Sequence, residues 1–161
     1  MKKALFILIV FFVSYYPLKA QIKIWNGTVS NDWFNTANWT PAALPLSSDS
    51  IVITGAVPFN AVITAAGAVG RVLTFNGSSV NPMLTINTGA VLTLANSASH
   101  ALVIKDGILL NNGTLHTSQT SSGSYNAFAA INMLSNGALQ NYGTITGTGG
   151  INDGLRMSLA T

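Results

Sequence analysis

GILLNNGTL, residues 107–115, and GALQNYGTI, residues 137–145, repeat one another, every matched position displaced by the same step, Gly107 to Gly137. Gly, an apolar position, Asn and Gly-Thr-apolar recur in the same order. A weaker relative, TGAVLTLANS, begins at Thr88, and the step from its Gly89 to Gly107 is shorter. Self-similarity at this period marks a chain that stacks one supersecondary unit on the next. The repeat predicts that Gly107, Asn111 and Gly113 lie one coil from Gly137, Asn141 and Gly143. The glycines would form corners, and the two asparagines a hydrogen-bonded ladder. The shorter step implies coils of about 18 residues, which leaves part of the longer step over. The Ser/Thr-rich stretch TSQTSSGSYNAFA, residues 117–129, is the place for the surplus. An insertion of this kind becomes a loop on one face of a solenoid, and Tyr125 and Phe128 would be its contact residues.

Away from the repeat the same grammar holds. Short alternating apolar runs predict strands near 22–25, 50–54, 61–64, 71–75, 84–87, 91–94, 102–105, 108–110, 114–116, 130–134, 138–141 and 144–146. Asn-Gly, Asp-Gly and Thr-Gly pairs stand between them as turns. No stretch after Ala20 has a helical period. The expected fold is all-β, a parallel β-helix (β-solenoid) with a Trp-rich N-terminal cap. A β-sandwich is the alternative, disfavoured because the runs are shorter than sandwich strands.

The N-terminus reads differently. Lys2 and Lys3 precede an unbroken apolar run from Ala4 to Val13, and a polar stretch leads to Ala20. This is the pattern of a secretory signal peptide cut between Ala20 and Gln21. The run is too short to span a membrane, so no transmembrane segment is expected after cleavage. The domain reading is therefore signal peptide 1–20, cap 21–50 and solenoid coils 51–161.

Removal of the leader takes Lys2, Lys3 and Lys19 with it. Lys23, Arg71, Lys105 and Arg156 then balance Asp32, Asp49, Asp106 and Asp153, and the chain has no Glu. A near-neutral protein has no basic patch for a phosphate backbone, so nucleic acid is not an expected partner. With no Cys, stability outside the cell must come from stacking and ladder hydrogen bonds.

Residues 25–53 read WNGTVSNDWFNTANWTPAALPLSSDSIVI and hold all three tryptophans. Trp25, Gly27, Asp32, Trp33, Asn38, Trp39, Pro41 or Pro45, Asp49 and the apolar 51–53 form the pattern W-x-G, D-W, N-W, Pro, Asp, strand. The pattern resembles the leader of secreted bacterial surface proteins of Bacteroidetes type. In those proteins it precedes β-helical, adhesin-like repeats and a C-terminal sorting domain for type IX secretion. The resemblance implies a secreted or cell-surface protein that uses that secretion machinery. No sorting domain or cap is recognised after Gly150, so a truncated solenoid is the expectation. From the residues themselves, Trp25, Trp33 and Trp39 would seal the open end of the first coil, with Asp32 and Asn38 fixing the turns. The competing reading makes the indoles a platform for sugar rings.

Catalytic patterns are scarce. No two of the four Asp are placed to share a strand face for glycoside hydrolysis. Asp32, Asn35 and Asn38 do not make a calcium loop. His100 and His116 are the two histidines, and the sequence shows no carboxylate or nucleophile that would make a base of His116. No cofactor is expected and the chain reads as non-catalytic. The expected function is an adhesin-like β-helical scaffold, with extracellular polysaccharide or cell-surface components as partners. The alternatives are the N-terminal part of a β-helix polysaccharide-active enzyme whose catalytic coils lie elsewhere, and a short product without a role of its own.

Overall fold

A computed structural model describes residues 19–77, 80–96, 99–119, 130–134, 136–149 and 155–157. All but the end of the expected signal peptide lies outside the described residues. The chain is a β-solenoid of about four turns. The first strand, β1 (Ile22–Trp25), is met antiparallel by β2 (Trp39–Thr40). Then come β3 (Ser50–Thr54), β4 (Ala61–Ile63) and β5 (Ala68–Gly70), which make the first full coil. The second is β6 (Val72–Asn76), β7 (Met83–Ile86) and β8 (Val91–Ala95). The third is β9 (Leu102–Ile104), β10 (Gly107–Asn111) and β11 (Thr114–Gln119). The fourth is β12 (Ile131–Met133), β13 (Gly137–Asn141) and β14 (Thr144–Gly149), and β15 (Leu155–Met157) follows it.

Each coil gives one strand to each of three sheets. The first sheet has the order β15-β12-β9-β6-β3-β1-β2, the second β13-β10-β7-β4, and the third β14-β11-β8-β5. Among the described strands only β1 and β2 pair antiparallel. The sandwich alternative is thereby overturned, since hairpin connections would make antiparallel ladders the rule.

Alternation does the sorting. In β3, β6, β8 and β10 every second residue is buried, because successive side chains leave a strand on opposite faces. Parallel register then piles the inward residues into columns. Ile53, Phe75, Ile104 and Met133 form one, and Ala61, Leu84, Leu109 and Leu139 another. Each core layer thus packs against its own kind one coil away, and burying such a side chain contributes about 1.5–3 kcal/mol.

The coils are longer than the sequence predicts. Leu92 pairs with Leu115, Leu84 with Leu109, and Leu109 with Leu139, each a wider step than Gly89 to Gly107. Gly89 does not stack on Gly107. It precedes β8 in the third sheet, whereas Gly107 opens β10 in the second. The physical reason is that all three faces share one alternation, so likeness between two strands does not tell which face each belongs to. The GILLNNGTL repeat is itself two faces and the corner between them. The expected insertion is also smaller at its start, because Thr117–Gln119 continue β11 and pair with β14. Tyr125 and Phe128 lie outside the described residues. The strands β2, β5 and β15 were not expected from the sequence.

At that corner the repeated residues meet. Gly107, Leu109 and Asn111 lie in register with Gly137, Leu139 and Asn141. The Asn111 Nδ2 donates to Asn141 Oδ1 at 2.7 Å and to the Thr144 carbonyl at 3.0 Å, and Asn111 Oδ1 accepts from Gly113 N at 3.2 Å. The backbone follows suit. Tyr142 N and Gly143 N donate to Asn111 O, and Thr144 N to Gly113 O. Corner amides that have no partner in their own coil are satisfied by the coil before.

The tryptophan cap and candidate contact surfaces

The segment before β3 is a compressed first coil. Its β1 joins the first sheet through parallel pairing with β3. Asp32 bridges Val62 of β4, with Val62 N donating to Asn31 O at 2.8 Å and Trp33 N to Val62 O at 3.1 Å. The three indoles close the space between these two attachments. Trp33 and Trp39 meet edge-on at 4.7 Å between centroids, Trp25 and Trp39 at 5.1 Å, and Trp25 lies nearly parallel to Trp33 at 6.4 Å. Such edge-to-face contacts add to the apolar burial. Two ring N–H groups donate to carbonyls: Trp25 Nε1 to Phe59 O at 2.8 Å and Trp39 Nε1 to Trp33 O at 2.9 Å.

Trp25, Trp33 and Trp39 are 0%, 1% and 1% exposed. No indole face is open, so the sugar-platform reading of these residues is corrected. A pyranose ring cannot stack on a ring already covered on both sides.

Asn38 organises the cap loop. It is fully buried, its Oδ1 accepts from Val29 N at 3.1 Å and Ser30 N at 3.0 Å, and its Nδ2 donates to Ser30 Oγ and Asp32 O at 2.9 Å each. Asp32 Oδ1 accepts from Phe34 N at 2.9 Å, a local turn that starts the loop over the rings. Asn38→Ala takes away the partner of the Val29 and Ser30 amides and of the Asp32 carbonyl. Its expected cost is about 2–3 kcal/mol, readable as a lower urea midpoint at unchanged slope, whereas Asn35→Ala, which loses only the exposed cap bond from Ala37 N, costs about 1 kcal/mol or less.

The outer face of the third sheet becomes polar along the stack. Val69, Thr93, His116 and Thr146 form one outward column, and Val91, Thr114 and Thr144 a second. His116 Nδ1 and Thr146 Oγ1 are 2.7 Å apart. The second sheet presents Met83, Ile108 and Ala138 beside Val62, Thr85, Leu110 and Gln140. Tyr142 projects from its corner, 77% exposed. The threonine columns were not singled out in the sequence. Their signal was polar residues at alternate positions, Thr114, His116 and Ser118 and then Thr144, Thr146 and Thr148, but without register they did not form a surface.

The carboxylates serve local structure. Asp32 holds its turn, Asp106 Oδ1 accepts from Asn136 Nδ2 at 3.2 Å, and Asp49 holds Gln21 just ahead of β1. Asp49 is 1% exposed and binds Gln21 N through Oδ1 at 2.8 Å and Leu46 N through Oδ2 at 2.9 Å. An open cavity of about 460 Å³ adjoins it, lined also by Lys23, Leu44 and Leu46. Among the described residues no three His, Cys, Asp or Glu cluster as a metal site. No helix among them is long and apolar enough to cross a membrane. Asp153 lies outside the described residues.

Residues 24–142 match the model of a family described as a domain of unknown function, DUF8693. The matched span runs from β1 to the corner before β14 and takes in the three tryptophans. No curated protein and no solved structure matches the chain.

Proposed function

We propose, on the premise that this chain belongs to the DUF8693 family and that the family carries no assigned activity, that it is a non-catalytic scaffold. It is secreted or displayed at the cell surface, is adhesin-like, and makes repeated weak contacts with extracellular polysaccharide. The observation that carries the reading is the outer face of the third sheet, where Thr93, Thr114, His116, Thr144 and Thr146 stand in register over three coils. Strand spacing of about 4.8 Å sets their step along the axis. A polymer lying along that axis would meet Thr93, His116 and Thr146 in turn, with Thr114 and Thr144 beside them, and several weak contacts would add as avidity.

Export is supported by the leader pattern of residues 1–20, and the surface role by the resemblance of the Trp segment to bacterial surface proteins, including type IX cargo. The scaffold reading gains further support from Asp32, Asp49 and Asp106, each of which is spent on holding local structure.

The test is a glycan array with the purified chain, followed by Thr93→Val, Thr114→Val and Thr144→Val together. Valine keeps the strand preference and removes the hydroxyl. Binding to the glycans that score should fall on the order of tenfold, with the melting midpoint within about 2 °C of wild type. An array without hits, or unchanged binding by the triple variant, rejects this face as the contact surface. Shortened glycan products after incubation would reject the non-catalytic reading.

A further inference from the structure

We infer that the α-ammonium freed by the cut expected between Ala20 and Gln21 is received by the buried Asp49 carboxylate. The inference rests on the chain being exported, and goes beyond the scaffold reading. Two separate observations meet at one residue. The sequence ends its leader pattern at Ala20. The fold takes its first hydrogen bonds at Gln21: its N donates to Asp49 Oδ1 at 2.8 Å, and its carbonyl accepts from Ser50 N at 2.8 Å. Lys19 and Ala20 are exposed and β1 begins at Ile22.

Asp49 is built as a receptor. Its N donates to Leu46 O at 2.9 Å and its O accepts from Arg71 N at 2.8 Å, so its backbone is held on both sides. Its side chain is 1% exposed and both oxygens are met by backbone amides alone among the described residues. A buried carboxylate that binds only neutral donors is costly to keep. An ammonium at the Gln21 position turns one of those bonds into a charge-assisted pair, which is the stronger kind. Lys19 lines the same cavity and leaves with the leader. The new amine restores the positive charge that end loses, now at hydrogen-bond distance from the acid.

The chemistry is peptide hydrolysis by a membrane-bound leader peptidase. Water is consumed, the Ala20 C–N bond breaks, Ala20 keeps a carboxylate, and Gln21 N gains the protons that make it an ammonium. The uncut chain has only an amide there and cannot form the pair. Maturation would thus tighten the first strand against the stack.

The full-length chain is expressed in a secreting bacterium, and the exported product is read by intact mass and N-terminal sequencing. A start at Gln21 is expected. A start elsewhere, or cyclisation of Gln21 to pyroglutamate, overturns the inference while leaving export standing. Uncut chain retained in the cell overturns both. The pair itself is read on two purified forms, one beginning at Gln21 and one retaining Ala20, each with Asp49 and with Asp49→Asn. The Gln21 form should melt about 5 °C above the Ala20 form, and Asp49→Asn should erase that difference. Its α-amine should be acylated by a water-soluble active ester on the order of tenfold more slowly than in Asp49→Asn. Equal midpoints of the two Asp49 forms overturn the pair, even if Asp49→Asn does not fold. So does a difference that survives the substitution.

Discussion

Trp33→Ala is expected to cost about 3–5 kcal/mol, a large share of the whole stability. A domain of this size has about 5–15 kcal/mol in all. Trp33 is 1% exposed and touches both other indoles. Its backbone also accepts the Trp39 ring N–H and donates to Val62, so the ring and the bridge to β4 move together. The hole left would lie at the end of the stack, where little can collapse into it. Far-ultraviolet circular dichroism with urea titration reads the loss. Trp33→Phe keeps part of the burial and should recover about half of it. A Trp33→Ala protein within about 1 kcal/mol of wild type, well below the expected cost, would show that the cap does not hold the first coil.

Gly113→Ala is expected to be nearly as damaging, at about 3 kcal/mol or more, although it adds one methyl group at a half-buried corner. A Cβ built there falls against the carbonyl oxygens of Asn87 and Ala90, the latter at 2.5 Å. Both belong to the coil before, and Ala90 O is the acceptor for Thr114 N. Neither carbonyl can turn aside without disturbing the corner it belongs to, so the two coils must separate there. The same holds one coil on, where a Cβ on Gly143 meets Gly113 O. By contrast Gly89→Ala meets nothing within 4 Å and suffers only its left-handed backbone, φ +81°, about 1–2 kcal/mol. The order of the two melting midpoints checks the argument. Gly113→Ala above Gly89→Ala would contradict the close approach.

These two sites also show what the sequence could and could not convey. Burial along a strand was legible, because Leu109 and Asn111 alternate with Ile108 and Leu110 whatever lies above them. The stacking of Gly107 on Gly137 was legible, because both the residue types and the spacing repeat. Coil length was not, because the pattern around Gly89 belongs to a different face from the one it resembles. Only register distinguishes the faces, and register is a property of pairs of strands. β5 was hidden for a related reason. Its Gly70 points inward where the Ile51 and Leu94 side chains already fill the space, so a strand position carries no apolar residue of its own.

The tryptophans lay between these cases. That bulky apolar rings would be spent on an end was readable, but the segment has no period to say which way each ring turns. Asn38 before Trp39 gave the clue in retrospect, since a fully buried amide with four partners fixes a loop and leaves the next ring no freedom to swing out. The threonine columns needed the fold before they became a surface at all. Their proposed role and that of Asp49 depend on which residues end up one coil apart.

The ladder bonds of all three sheets run along the stacking direction, from one coil to the next. A pull applied between the first strand and the last would therefore meet these bonds one row at a time, as a zipper does, rather than all together. Each row that yields frees one coil, a length between the Ser50-to-Val72 step and the Leu109-to-Leu139 step. At full extension that is roughly 75–105 Å of slack. Under tension such a body would lengthen in steps at modest force, and would act as a shock absorber more than as a rigid rod.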